Sequence, residues 1–247
     1  MKTLFCIDCS GSVDRCVLYH NVTKEIFSEF YKNGDLIYLW DDTSKKINES
    51  EFRSFNDNEE GHGGTSSELI ADIINDEKDS GFEHLIIITD GSVDTGSIDK
   101  SDEKMEKISI QYKFVSIYII GSDGDRTVGA PYCRGIPSIT YKYNSEDQFE
   151  ELASLNQAQL DLYESFDKIS SFSEFISKYN DLQQVLEAQM YGRESNQDLI
   201  SKLSILKNNI LSTSLTDQQK DDFNSKYQYL DKMCSGGLRY GDIGKAH

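Results

Sequence analysis

Thr3-Leu4-Phe5-Cys6-Ile7-Asp8-Cys9-Ser10-Gly11-Ser12 is an apolar run that stops on a carboxylate and turns through hydroxyls and a glycine. Residues 3–7 read as a buried strand, and the amphipathic pattern over residues 17–31 reads as the helix that follows it. Residues 35–40 form the next strand. This is the βαβ alternation of an α/β sheet, and it continues. Residues 45–55 leave room for a short edge strand, residues 59–67 are a loop rich in glycine and hydroxyls, and residues 68–74 are helical. Residues 84–89, 113–120 and 138–143 read as strands, with a weakly hydrophobic helix over residues 103–111. Ser145 with Gln148 makes the capping-box pattern of a helix ending near Ser154. Six strands and about as many helices specify an α/β fold: a doubly wound, mostly parallel, six-stranded sheet with helices on both faces, Rossmann-like in plan.

Strand signals stop near residue 157, so the chain divides into an α/β domain over residues 1–156 and a C-terminal all-α bundle or extension over residues 157–247. Phe172, Phe175, Ile176, Tyr179, Leu182, Leu186 and Met190 fall at helical spacing behind a Ser171/Glu174 capping box, with Gly192 as the stop. Leu199, Ile200, Leu203, Leu206 and Ile210 define a second helix. Thr216 with Gln219 caps a third, which carries Phe223, Tyr227, Leu230 and Met233 before Gly236-Gly237. These stripes read as core, with a groove for a partner helix as the competing reading.

The 247 residues, 37% of them hydrophobic, suffice for one large core or two modest ones. Forty-three acidic against 25 basic residues give a net charge of −18, which disfavours nucleic acid and anionic membranes as partners. The N-terminal apolar run is too short and too soon charged for a secretory signal, and no stretch reaches transmembrane length. An odd number of scattered cysteines, Cys6, Cys9, Cys16, Cys133 and Cys234, points to reduced thiols in the cytoplasm, with a virion or a nucleus as alternatives. Cys6 and Cys9 invite a zinc or redox reading, but no second pair follows, and buried thiols are expected instead. The four histidines, His20, His62, His84 and His247, show no metal-ligand spacing.

The chemistry gathers at three loops: Asp8 to Ser12 after the first strand, Gly63-Gly64-Thr65-Ser66 before a helix, and Thr89-Asp90-Gly91 after the fourth strand. With the common strand order 3-2-1-4-5-6, winding reverses between strands one and four, so all three loops meet in the crevice beyond their C-terminal ends. Mg²⁺ takes hard oxygen ligands in octahedral geometry and keeps waters among them. Asp8, Ser10 and Ser12 alternate along an extended turn, and Gly11 relieves crowding there. Two carboxylates and three neutral hydroxyls leave a bound dication electrophilic toward an incoming acid.

These loops resemble the metal-ion-dependent adhesion site of von Willebrand factor A-type domains, whose pattern is Asp-x-Ser-x-Ser, then a Thr, then an Asp. Asp8, Ser10, Ser12, Thr65 and Asp90 match its five positions. The resemblance covers about residues 1–155. It implies that Ser10, Ser12 and Thr65 contact Mg²⁺ or Mn²⁺ directly or nearly so, with Asp8 and Asp90 acting largely through waters. It further implies a protein partner that offers an Asp or Glu to the metal, in an adaptor role within a multi-protein assembly, often beside AAA+ ATPases. One departure is notable: residues 41–62 are short, acidic and glycine-flanked where most such domains carry a full helix, which is similar to the compact intracellular branch of the family.

Other readings compete. Asp8 and Ser12 could cap the first helix, Thr65 the next, and Asp90-Gly91 could be an ordinary turn. Asp41-Asp42 could reach the outer shell of a metal, though a solvated turn is the simpler reading. The acidic residues 56–60 could steer basic partners toward the site rim, and His62 could touch a partner. An enzyme reading starts from Asp8 as the nucleophile of a Mg²⁺-dependent phosphatase, but such enzymes need a second Asp two residues on, where this chain has Ser10. A structural scaffold with an idle metal site is the third possibility. The expected function is therefore a non-catalytic, metal-dependent interaction module.

Overall fold

The computed structural model describes residues 1–14, 16–54, 63–94, 96–121, 128–143, 148–190 and 196–236. It separates into two compact units, Met1–Ser154 and Leu155–His247. In the first unit, seven strands form one sheet: β1 (Thr3–Asp8), β2 (Leu36–Trp40), β3 (Ser44–Ile47), β4 (His84–Thr89), β5 (Phe114–Ile119), β6 (Ser138–Tyr143) and β7 (Phe149–Leu155). Their order is β3-β2-β1-β4-β5-β6-β7. β1 pairs in parallel with β2 and β4, β4 with β5, and β5 with β6, whereas β3 runs antiparallel to β2. The chain thus winds outward from β1 in one direction and from β4 in the other, which places the switch point between these two strands.

Every residue of β1 and β4 is buried, as central parallel strands covered on both faces must be. Alternation along the strands splits the core in two. Phe5, Ile7, Ile86 and Ile88 pack against Tyr19, Val22, Ile26 and Phe27 of α1 (Val17–Phe30) and Phe52 of α2 (Glu49–Ser54). Leu4, Cys6, Leu85 and Ile87 pack on the other face against Ile70, Ala71, Ile73 and Ile74 of α3 (Glu68–Asp76), with Met105 of α4 (Ser97–Met105) in the same cluster. Each fully buried side chain of this size contributes on the order of 1.5–3 kcal/mol of transfer free energy. Burial pushes the Cys6 thiol far up, so it behaves as an apolar core residue. All five cysteines are thiols.

The sheet has seven strands where the sequence predicts six, and two elements of this unit differ from expectation. The segment up to Ser154 forms strand β7 instead of a helix. Phe149 inserts its ring edge-on among Tyr118, Tyr141 and Tyr143, at centroid distances of 5.3, 6.1 and 5.1 Å. That packing, together with the open edge of β6, outweighs a local helix preference; Ser145 of the expected capping box lies outside the described residues. The expected helix over residues 103–111 lies earlier, at Ser97–Met105, because Gly96 takes the left-handed conformation that starts it (φ 77°). Its buried face is Ser97, Ser101 and Met105, small and mostly polar, so the apolar periodicity points elsewhere. The edge strand allowed within residues 45–55 is the short β3, followed by α2.

The second unit contains α5 (Gln157–Ser165), α6 (Phe172–Met190), α7 (Gln197–Leu211) and α8 (Asp217–Cys234). α6, α7 and α8 are the three expected helices. α5 is additional, started by a capping box in which Asn156 and Gln159 exchange bonds at 3.0 Å. Thr216 and Gln219 form the capping box of α8, and Ser171 accepts from the Glu174 amide at α6. Phe175, Leu182, Leu186, Leu203, Leu206, Phe223 and Leu230 interdigitate as the core, with Phe175 and Phe223 in edge contact at 5.0 Å. Gly192 lies outside the described residues.

Candidate metal centre

Asp8 ends β1 and is fully buried. One carboxylate oxygen accepts the Ser10 amide at 2.9 Å and the other accepts the Thr89 hydroxyl at 2.7 Å. The Thr89 oxygen in turn accepts the Gly91 amide at 2.9 Å. Tyr19 of α1 reaches under the same point, its hydroxyl facing the carbonyls of Asp8 at 2.8 Å and Ile88 at 3.2 Å. The ends of β1 and β4 are thereby pinned to each other and to α1. Ser10 and Ser12 bring their hydroxyls within 3.0 Å, Ser10 buried and Ser12 exposed.

The second loop is held against the first by the Gly11 amide, which donates to the Gly63 carbonyl at 3.2 Å. Gly63 has φ 132°, open only to glycine at low cost, and a Cβ there would sit 2.8 Å from an Asp42 carboxylate oxygen. A Cβ on Gly64 would sit 2.6 Å from an Asp94 oxygen. The two glycines therefore let the backbone thread between two acidic side chains on its way to Thr65. Thr65 is buried, its carbonyl accepts the Asp94 amide at 3.0 Å, and the next amide, of Ser66, donates to the Asp41 carbonyl at 2.9 Å. In the third loop, half-buried Asp90 accepts the Ser92 amide at 2.8 Å, and Gly91 takes φ 80°.

The competing local readings sort out by residue. The N-cap of α1 is Cys16 and that of α3 is Ser67, neither with a side-chain cap bond, so Asp8, Ser12 and Thr65 do not serve as caps. The turn reading of Asp90 holds for one of its oxygens. Asp41 is not a solvated charge: it is buried, and accepts both the amide and the hydroxyl of Thr43 at 2.6 and 2.9 Å. Asp42 is exposed. His20 and His84 are buried, His20 edge-on to Tyr19 and His84 bonded to Ser116 at 2.9 Å. His62, His247 and residues 56–60 lie outside the described residues.

Burial is the main cause that pushes the Asp8 carboxyl up to about 7; the hydrogen bonds from Thr89 and Ser10 pull it down, and the charge of Asp90 adds to the rise. Among the described residues, neither Asp8 nor Asp90 has a basic partner. Two carboxylates in each other's field, one of them buried, beside clustered hydroxyls, are a donor set that fits a hard dication such as Mg²⁺. Among the described residues no three His, Cys, Asp or Glu side chains gather in a group that could hold a metal ion. Sequence reasoning assigned no role to Thr89 or Tyr19, which orient Asp8. Thr89 stood in the quoted third loop, but only its distance across the sheet reveals its partner.

No family model matches the chain, and no curated protein matches it. Among solved structures it is similar to a von Willebrand factor type A structure from Catenulispora acidiphila, at 16% identity and a TM-score of 0.44, over 58% of this chain and 38% of that one. The chain accordingly spans less than two fifths of that structure's length.

Proposed function

We propose that the chain is a non-catalytic interaction module that holds one Mg²⁺ or Mn²⁺ between its three loops and uses it to grip an Asp or Glu of a partner protein. The observation that carries this reading is the convergence of the loops at the switch point, with Asp8 bonded to Ser10 and Thr89 and with Gly11 bonded to Gly63. Ser10, Ser12 and Thr65 would hold the cation, and Asp8 and Asp90 would support it through waters. Bound there, the cation supplies an electrophilic position for an anionic oxygen. Each Asp8 oxygen accepts one bond from the protein, which orients the first loop and leaves acceptor capacity for a water. Ser10, Ser12 and Thr65 are neutral, so a cation held mainly by them keeps positive charge for the partner.

A hydrolase built on Asp8 would need a carboxyl acid two residues on, and Ser10, bonded to Ser12, has none to offer. The net charge of −18 supports a protein partner over nucleic acid or an anionic membrane, and among the described residues no helix is long and apolar enough to cross a membrane. An adaptor role in a cytoplasmic assembly, of the kind built around AAA+ ATPases, is part of the same proposal. Calorimetry should record Mg²⁺ binding that Asp8→Ala or Thr65→Ala removes. Once a partner is in hand, changing its key Asp or Glu to the amide should weaken binding tenfold or more in Mg²⁺, since losing one member of such a pair costs about 2–5 kcal/mol. In EDTA the same change should have little effect. Equal partner affinity in Mg²⁺ and EDTA would return the site to an idle scaffold feature.

A further inference from the structure

Behind the Thr65 loop lies a buried cluster of hydroxyls that the metal reading does not use. Ser67, Ser97 and Ser101 are buried to within one per cent exposure. The Ser97 hydroxyl donates to the Glu68 carboxylate. A hydroxyl has one proton to give, so the 3.0 Å contact between Ser67 and Ser97 is donated by Ser67. Ser101 donates to the Ser97 carbonyl at 2.9 Å and lies 3.1 Å from the Ser67 hydroxyl, while Tyr132 donates to the Ser67 carbonyl at 2.6 Å. The backbone completes a ring: the Asp94 amide donates to the Thr65 carbonyl at 3.0 Å, and the Ser97 amide to the Asp94 carbonyl at 3.0 Å. Running Thr65, Ser67, Ser97, Asp94 and back to Thr65, this ring joins the second loop to the chain that leaves Asp90.

We infer that Ser67 and Ser97 are positioning residues for the metal centre, which lock the Thr65 and Asp90 loops at one spacing; the inference rests on the metal reading above. Small side chains alone would let α3 and α4 approach closely, and alanine would do that as well. What alanine lacks is the directed bond, and neither helix start can slide without leaving a buried polar atom unpaired. Groups that orient metal-binding side chains from behind commonly alter metal affinity by about 10–100-fold when removed.

Mg²⁺ titration calorimetry of the full chain, paired with thermal melts in EDTA, tests this. Ser97→Ala and, as an independent break in the same ring, Ser67→Ala should each weaken Mg²⁺ binding by about tenfold or more. Ser116→Ala removes another buried hydroxyl bond of the first unit, to His84, and should lower the melting temperature while leaving Mg²⁺ affinity unchanged. Unaltered affinity in Ser97→Ala and Ser67→Ala, with the parent chain binding normally, would overturn the positioning role alone. So would an equal loss in Ser116→Ala, which would mark the effect as general destabilisation. Failure of the parent chain to bind Mg²⁺ would overturn the metal reading, and this inference with it.

Discussion

The two units bury different chemistry. The first encloses Asp8, Ser10, Asp41, Thr65, Ser67, Thr89, Ser97 and Ser101, whereas among the described residues the second buries Gln159 and Gln189 as its polar side chains. Gln159 is accounted for locally, by the capping box at Asn156 and a 2.8 Å bond to Gln184. A buried polar group is costly unless its bonds are satisfied, so a fold that gathers many of them at one end of a sheet is holding oxygen atoms in fixed positions. Among its described residues the helical unit has no such concentration, and its order follows from apolar stripes and caps. Among the described residues, the contrast is between directed polar bonds in one unit and apolar packing in the other.

The largest test of that contrast is Phe223→Ala. Removing a fully buried ring that packs on Phe175 should cost the helical unit about 3–5 kcal/mol. The sequence has a single tryptophan, Trp40 in β2, so its fluorescence reports the first unit while far-UV dichroism is weighted toward the helices. Urea titration should move the dichroism transition and leave the Trp40 transition in place. A common shift of both would join the units into one cooperative block.

A smaller effect should appear only in the first unit, on acidification. Burial holds the His84 imidazole down at about 4 against an ordinary value of 6.5, with the charge of Asp35 opposing the shift. The unfolded chain therefore binds the proton more readily, so stability is full above pH 6.5 and falls as pH drops toward 4. The loss should be on the order of 3 kcal/mol, read as the difference in pH dependence of the Trp40 transition between the parent chain and His84→Gln. Identical pH profiles would remove His84 from the account.

The smallest effect belongs to the helical unit. Thr216→Ala deletes the side chain that accepts the Gln219 amide at 3.2 Å and should cost about 1 kcal/mol, again by dichroism-monitored urea titration. A loss several times larger would mean that α8 depends on its cap more than on its core.

What could be read from the chain follows the range of the forces involved. β1, β4 and β5 are legible because strands covered on both faces are continuous apolar runs, and α6 to α8 because their stripes repeat at helical period. β7 is hidden because its fate is decided by Phe149 among tyrosines from two other strands. The position of α4 is hidden because serines carry no hydropathy signal, although Ser97, Ser101 and Met105 recur every four residues. At the candidate centre, the spacing of Asp8, Ser10 and Ser12 is local and visible. The bond from Thr89 spans 81 residues, that from Tyr19 to Ile88 spans 69, and the Ser67–Ser97 contact spans 30; no window along the chain contains them.

At the far side of the sheet, β3 is an edge strand whose backbone offers a template for another chain. Its residues Ser44, Lys45 and Lys46 are all exposed, and consecutive side chains point to opposite faces, so a lysine stands on each side of the ribbon. A second copy adding itself there in register would bring Lys45 against its like across the new seam. Lys46 is paired with Glu77, so the charge of Lys45 is the one that guards this border against growing into fibres.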